Sequence, residues 1–192
     1  MQAASATTVH LRHWPSASHR VAYCPARFST PTPSIPTRAT AALLTVMCCR
    51  LNSLGVAEGD ILSTVGWLHL VAAESDGDYH IQISPAHDDD PGTDFLIVEV
   101  PTPETEFVAD TSLHPRLEAV RSLIRERMLR GSEPSTRGSV LTHPACVEVA
   151  GQLFYDDAHV GDEPRGKRGM KAATLWELHP VTHIAFSRGC TQ

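Results

Sequence analysis

The chain has 192 residues, 42% of them hydrophobic and 20% charged, with 16 Lys+Arg against 22 Asp+Glu and a formal net charge of -6. That is enough chain for one domain with a sizeable core. The composition excludes an acidic disordered polymer, a collagen and a coiled coil, and no apolar run reaches the roughly 18 residues of a membrane span.

The charge is divided unevenly. Residues 1–50 contain Arg12, Arg20, Arg27, Arg38 and Arg50 and no Lys, Asp or Glu, a balance of +5, whereas the remaining 11 cations face all 22 acids, a balance of -11. Ser, Thr and Pro crowd residues 28–37, where the prolines remove backbone donors and disfavour helix and sheet. Residues 39–49 form an apolar stretch of signal-peptide length. Gly55, Val56 and Ala57 then follow the spacing a signal peptidase reads, so cleavage before Glu58 would release the acidic part alone. We therefore expect residues 1–57 to be a disordered leader, a signal or targeting segment, and residues 58–192 to be the folded domain. The expected location is periplasmic or secreted. An Arg-rich organellar transit peptide, or a cytoplasmic protein with its start placed too far upstream, is the alternative. Cys24, Cys48 and Cys49 fall in the leader, and Cys146 and Cys190 in the domain. No CxxC pair supports a zinc ribbon or a thioredoxin-like site.

In chain order, residues 61–73 read as a strand rich in Val, Leu, Trp and Thr, followed by the turn signal Ser75-Asp76-Gly77-Asp78. Residues 79–84 alternate: Tyr79, Ile81 and Ile83 face one way and His80, Gln82 and Ser84 the other, the pattern of a half-buried strand. The two runs predict a hairpin. A polar loop over 85–94 precedes a third strand, 95–100, ended by Pro101 and Pro103. Thr111 or Ser112 caps a helix in which Leu113, Leu117, Val120, Ile124 and Met128 recur at spacings of four and three, with Gly131 as the stop. Val147, Val149, Gly151, Leu153 and Tyr155 share one face of a fourth strand, 147–156, and a Gly- and charge-rich loop leads to a fifth, 174–186, interrupted by Pro180.

Three strands, a helix and two strands is the order of the OB-fold, so the expectation is a mainly β, five-stranded barrel with one helix between strands three and four. Strands four and five are antiparallel neighbours in that barrel, which brings Cys146 near Cys190 and makes a disulfide geometrically plausible.

Gly66-Trp67-Leu68-His69, residues 76–80 (DGDYH), residues 98–101 (VEVP), residues 151–159 (GQLFYDDAH) and residues 176–181 (WELHPV) resemble a family of uncharacterised bacterial proteins. That resemblance covers nearly the whole domain and implies its fold and export. A weaker one is to thermonuclease-like OB-folds, through Asp76-Gly77-Asp78 and Thr102-Pro103-Glu104. It implies that Asp78 and Glu104 are counterparts of acidic residues that hold Ca²⁺ there. The arginine expected in the preceding strand is missing from 95–100, and the second carboxylate falls on Pro101.

Strand periodicity, independently of any resemblance, puts Glu177 and His179 on one face of strand five, with His183 further along. Asp156, Asp157 and His159 end the neighbouring strand. Asp78, Glu99, Asp156, His159, Glu177 and His179 are thus the candidate ligands for a divalent ion such as Zn²⁺, Ca²⁺ or Mn²⁺. Glu99 belongs among them because a carboxylate inside an apolar strand needs a partner once buried. The competing reading is that these are satisfied polar groups at a barrel rim. The loop 165–171 carries Arg165, Lys167, Arg168 and Lys171 among glycines. It reads as a flexible basic loop for an anionic ligand such as single-stranded nucleic acid, at a position OB-folds use for binding, or else as a solvated charge run. Residues 88–94 read as a polar turn without the ligand spacing of an EF-hand. No GxSxG, GxGxxG or GxxxxGKS occurs.

The leading expectation is an exported OB-fold that binds an anionic ligand through the basic loop. The alternatives are a divalent-metal-dependent hydrolase of the phosphodiesterase type and a purely structural interaction module.

Overall fold

A computed structural model describes residues 56–88, 94–172 and 174–190. Five strands, β1 (Ile61–Ala73), β2 (Tyr79–Ser84), β3 (Leu96–Val100), β4 (Ser139–Tyr155) and β5 (Trp176–Phe186), close into a barrel in the order β1-β2-β3-β5-β4. Helix α1 (His114–Met128) lies between β3 and β4. Neighbours are antiparallel except β3 and β5, which run parallel. This is the expected OB-like barrel. The leader lies outside the described residues apart from Val56, which packs partly buried against the core, and Ala57, whose N–H donates to Asp60.

The apolar periodicities meet in one interior. Tyr79, Ile81 and Ile83 of β2 pack with Val98 and Val100 of β3, Val147, Val149 and Leu153 of β4, and Leu178 and Val181 of β5, and α1 closes over them with Leu117, Val120 and Ile124. The helix starts differently from the sequence expectation. Neither Thr111 nor Ser112 caps it: Leu113 holds that position without a side-chain bond, and Pro115 lies in the first turn. Asp110 has instead taken the Ser112 N–H and hydroxyl into a local turn, which removes Ser112 from the capping role.

Two further differences matter for the site. All six residues of β2 are buried, although alternation predicted one exposed face. A second apolar cluster, Leu70, Ala72, Phe95 and Met170, sits apart from the main core, and the loop after β4 carries Met170 onto the outer side of the sheet. The polar face of β2 is therefore covered by chain rather than by water. β4 also begins at Ser139 rather than 147, pairing with β1 at Ser139 and Val140 and again from Ala145 onward, with residues 141–144 between the two stretches.

Cys146 and Cys190 form a disulfide with Cα atoms 5.9 Å apart, joining β4 to the segment after β5. Gly151 permits the close approach of β4 to β5 where the pairing shifts register, since a Cβ there would lie 2.7 Å from the Pro180 carbonyl oxygen. No helix among the described residues is long and apolar enough to cross a membrane.

Candidate functional site

The hairpin between β1 and β2 turns at Asp76-Gly77-Asp78, with Gly77 at φ 91° and Asp76 accepting the Asp78 N–H. Asp78, the last residue before β2, has its carboxylate buried, accepting the Thr102 N–H at 3.1 Å. Pairing of β2 with β3 sets His80 opposite Glu99, and pairing of β3 with β5 aligns Val98 with Leu178, so the flanking Glu177 and His179 come beside Glu99 on the outer face. His179 Nδ1 lies 3.2 Å from Glu99 and 3.3 Å from Glu177, and its Nε2 lies 3.5 Å from Asp78. One ligand atom each from Asp78, Glu99 and His179 lie within 4.8 Å of one another.

Arg165 holds the other half together. Its guanidinium bonds Glu177 at 2.8 Å, contacts Asp156, and reaches Glu99 at 3.3 Å. Asp156 directly follows β4 and lies 2.6 Å from His159, on the short 3-10 turn Asp157–His159. Glu99, Asp156, Arg165, Glu177 and His179 line a cleft of about 500 Å³, with Glu74, His80, Phe154 and Lys167 also in its walls and Asp78 outside its lining.

Such crowding of carboxylates leaves its mark on their protonation. Burial, with Asp76 nearby, raises the Asp78 pKa to about 6. Burial would also raise Glu99, but hydrogen bonds from His179 and His80 outweigh it and hold the carboxyl well below its ordinary range. Glu177 is pushed up, by burial first, and the Glu99 charge adds to it. Burial opposes the charged form of His179, yet the bonds to Glu177 and Glu99 carry its pKa up to about 10. Within the cleft Arg165 and His179 supply the cations that balance these carboxylates.

Among the six residues singled out as metal candidates, Asp78, Glu99 and His179 form the tight trio, while Glu177, Asp156 and His159 follow through Arg165. Two carboxylates and one imidazole are a donor set that would suit Mn²⁺, Zn²⁺ or Ca²⁺. His183 does not join them. It is exposed and borders a separate groove along α1 with Arg116 and Leu123. Glu104, the second acidic counterpart from the thermonuclease resemblance, is exposed and does not line the cleft. Asp88 is exposed and pairs with His87, and residues 89–93 lie outside the described residues.

The four loop cations do not share one outward surface. Arg165 points into the carboxylates. The Lys167 N–H donates to Gln82 Oε1 at 2.6 Å and its ammonium bonds Glu74 and the Thr136 carbonyl. Arg168 and Lys171 are exposed, with the Lys171 ammonium 3.5 Å from the Gly166 carbonyl. The loop is clasped rather than free: Gln82 Nε2 donates to the Met170 carbonyl at 2.5 Å. His80, Glu74 and the inward role of Arg165 were not visible in the sequence. The signal for His80 was its place two residues after Asp78, directly across from a buried glutamate.

No model of a known protein family and no curated protein matches the chain. The site rests on its own geometry.

Proposed function

We propose that this cleft holds a divalent cation, Zn²⁺, Ca²⁺ or Mn²⁺, on Asp78, Glu99 and His179, and that the protein is a metal-dependent hydrolase of phosphodiesters. The observation that carries the reading is the convergence of those three ligand atoms, with Glu99 and His179 in the lining of an open cleft beside Arg165 and Asp78 buried next to them. A cation there would acidify a bound water and polarise a phosphoryl oxygen, while Arg165, held by Glu99, Asp156 and Glu177, keeps those carboxylates in place around it. The exposed Arg168 and Lys171 favour an anionic ligand that extends past the cleft, such as single-stranded nucleic acid. The Cys146–Cys190 disulfide supports a periplasmic or secreted setting.

Metal titration tests this. Mn²⁺, Zn²⁺ or Ca²⁺ should raise the melting temperature of purified protein, by about 2.7 kcal/mol of added stability at 100 times the dissociation constant. Asp78→Asn and His179→Gln should each abolish that gain. Stability unmoved by all three ions would sink the reading.

A further inference from the structure

We propose that Arg168 is a ligand-binding residue that grips a second phosphate beyond the cleft, so that the site takes single-stranded nucleic acid rather than an isolated diester. The assignment rests on the phosphodiester reading and adds the residue that selects for a chain of phosphates.

Arg168 stands at the tip of a turn that does not suit it. The Met170 N–H donates to the Lys167 carbonyl at 3.1 Å, and the two residues between them, Arg168 and Gly169, have φ 56° and 84°. Positive φ at both central positions is the pattern of a type I′ turn, in which Asn-Gly is the favoured pair. Gly169 adopts it freely, whereas the Cβ of an arginine is crowded there by its own backbone. Nothing inside the molecule offsets that cost: the Arg168 side chain is exposed and makes no hydrogen bond or ion pair among the described residues. The same φ at Arg130 has a local reason, since that residue directly follows Leu129 at the end of α1, where left-handed residues commonly close a helix.

The turn is held too firmly for the strain to relax. Gln82, wholly buried in β2, accepts the Lys167 N–H at 2.6 Å and donates to the Met170 carbonyl at 2.5 Å, which fixes both corners. Met170 is buried with Leu70, Ala72 and Phe95, and the Phe95 N–H donates to the Lys171 carbonyl at 3.2 Å. Gly166 and Lys167 line the cleft, so the residue after them projects from a fixed base at its rim. Of the loop's four cations, Arg165 and Lys167 are neutralised by Glu99, Asp156, Glu177 and Glu74, which leaves Arg168 and Lys171 as the surplus positive charge. A strained backbone that its surroundings enforce, carrying a side chain with no internal contact, points to a contact outside the chain. A guanidinium there suits the next phosphate of a chain whose first phosphate lies in the cleft, because its planar donors match phosphate oxygens.

The test uses the full chain in Mn²⁺ with a labelled phosphorothioate oligothymidylate, which keeps its charges and resists cleavage, and with the matching dinucleotide, which has a single phosphate. Three substitutions separate charge from strain. Arg168→Asn removes the charge and suits the turn, Arg168→Gln removes the charge and keeps the strain, and Arg168→Lys keeps both. Arg168→Asn and Arg168→Gln should each weaken oligonucleotide binding about tenfold, the scale of one charge-assisted hydrogen bond, and lower the ratio of oligonucleotide to dinucleotide affinity by the same factor. Both should also reduce the slope of log affinity against log salt by about 0.7, one phosphate contact on a single strand. Arg168→Lys should lose less than either. Arg168→Asn alone should raise the melting temperature, by about 3 °C. Should Arg168→Asn bind the oligonucleotide as wild type does, lose dinucleotide binding equally, or melt no higher than Arg168→Gln, this inference is overturned and the metal site stands. Wild type that takes up Mn²⁺ but does not bind the oligonucleotide overturns the nucleic-acid reading and this inference together.

Discussion

Arg165 carries the charge balance of the cleft, since it touches Glu99, Asp156 and Glu177 and its side chain is only 16% exposed. Burying several carboxylates is tolerable only while a counter-charge stays with them. Replacing Arg165 by Met keeps the aliphatic stem and removes the charge. It should therefore cost about 3 kcal/mol in urea unfolding of the metal-free protein, the scale of a broken buried pair. The same variant should gain more than wild type from added Mn²⁺, because a cation then supplies what the guanidinium did. A metal-induced stabilisation no larger than that of wild type would show that Arg165 does not compete for these carboxylates. Alternation along β5 made Glu177 and His179 legible in the sequence. The direction of Arg165 was not, because an arginine among glycines carries no period, and its environment depends on three strands from distant parts of the chain.

At the scale of elements, long apolar periodicities were the most readable. The recurrence of Leu117, Val120 and Ile124 gave the helix, and the Asp76-Gly77-Asp78 turn gave the first hairpin. The failure is instructive. His80, Gln82 and Ser84 alternate as an exposed face should, yet the loop after β4 covers Gln82 and Ser84 is buried against His69 and the Ala86 carbonyl, and burial by distant chain leaves no trace in local pattern. Nor do the loop's glycines mark flexibility. Gly166 has φ 123°, and a Cβ there would run into the Met170 carbonyl, the same group that Gln82 holds. Gly166→Ala should therefore break the clasp, costing about 2 kcal/mol or more and exposing residues 160–171 to limited proteolysis. Gly169→Ala is the control: its φ is 84° but no atom lies within 4 Å of its Cβ, so about 1 kcal/mol of backbone strain is all it should cost. Equal effects of the two substitutions would mean that the close approach at Gly166 does not hold the loop.

Across the whole molecule, one strand pair links the two features that bear most on setting and chemistry. The pairing of β4 with β5 runs from Val147 opposite Phe186, next to the disulfide, to Tyr155 opposite Trp176, next to Asp156 and Glu177. At about 3.3 Å per residue the eight residue steps from Cys146 to Phe154 separate these ends by about 26 Å. The disulfide closes a sequence separation of 44 residues, for which chain entropy suggests about 4 kcal/mol, and the ladder it reinforces already restrains the same segment. Replacing both cysteines by Ala should thus lower stability by about 2–4 kcal/mol, read in urea. It should leave Mn²⁺ affinity unchanged under conditions where the variant stays folded, since the ligands come from the turn before β2, from β3 and from the opposite end of β5. A loss of Mn²⁺ affinity in the folded variant would mean that strain at one end of the pair is transmitted to Glu177 and His179 at the other. The register shifts around Gly151 lie between the two ends and would absorb a displacement from either side, which is the structural reason to expect the ends to behave independently.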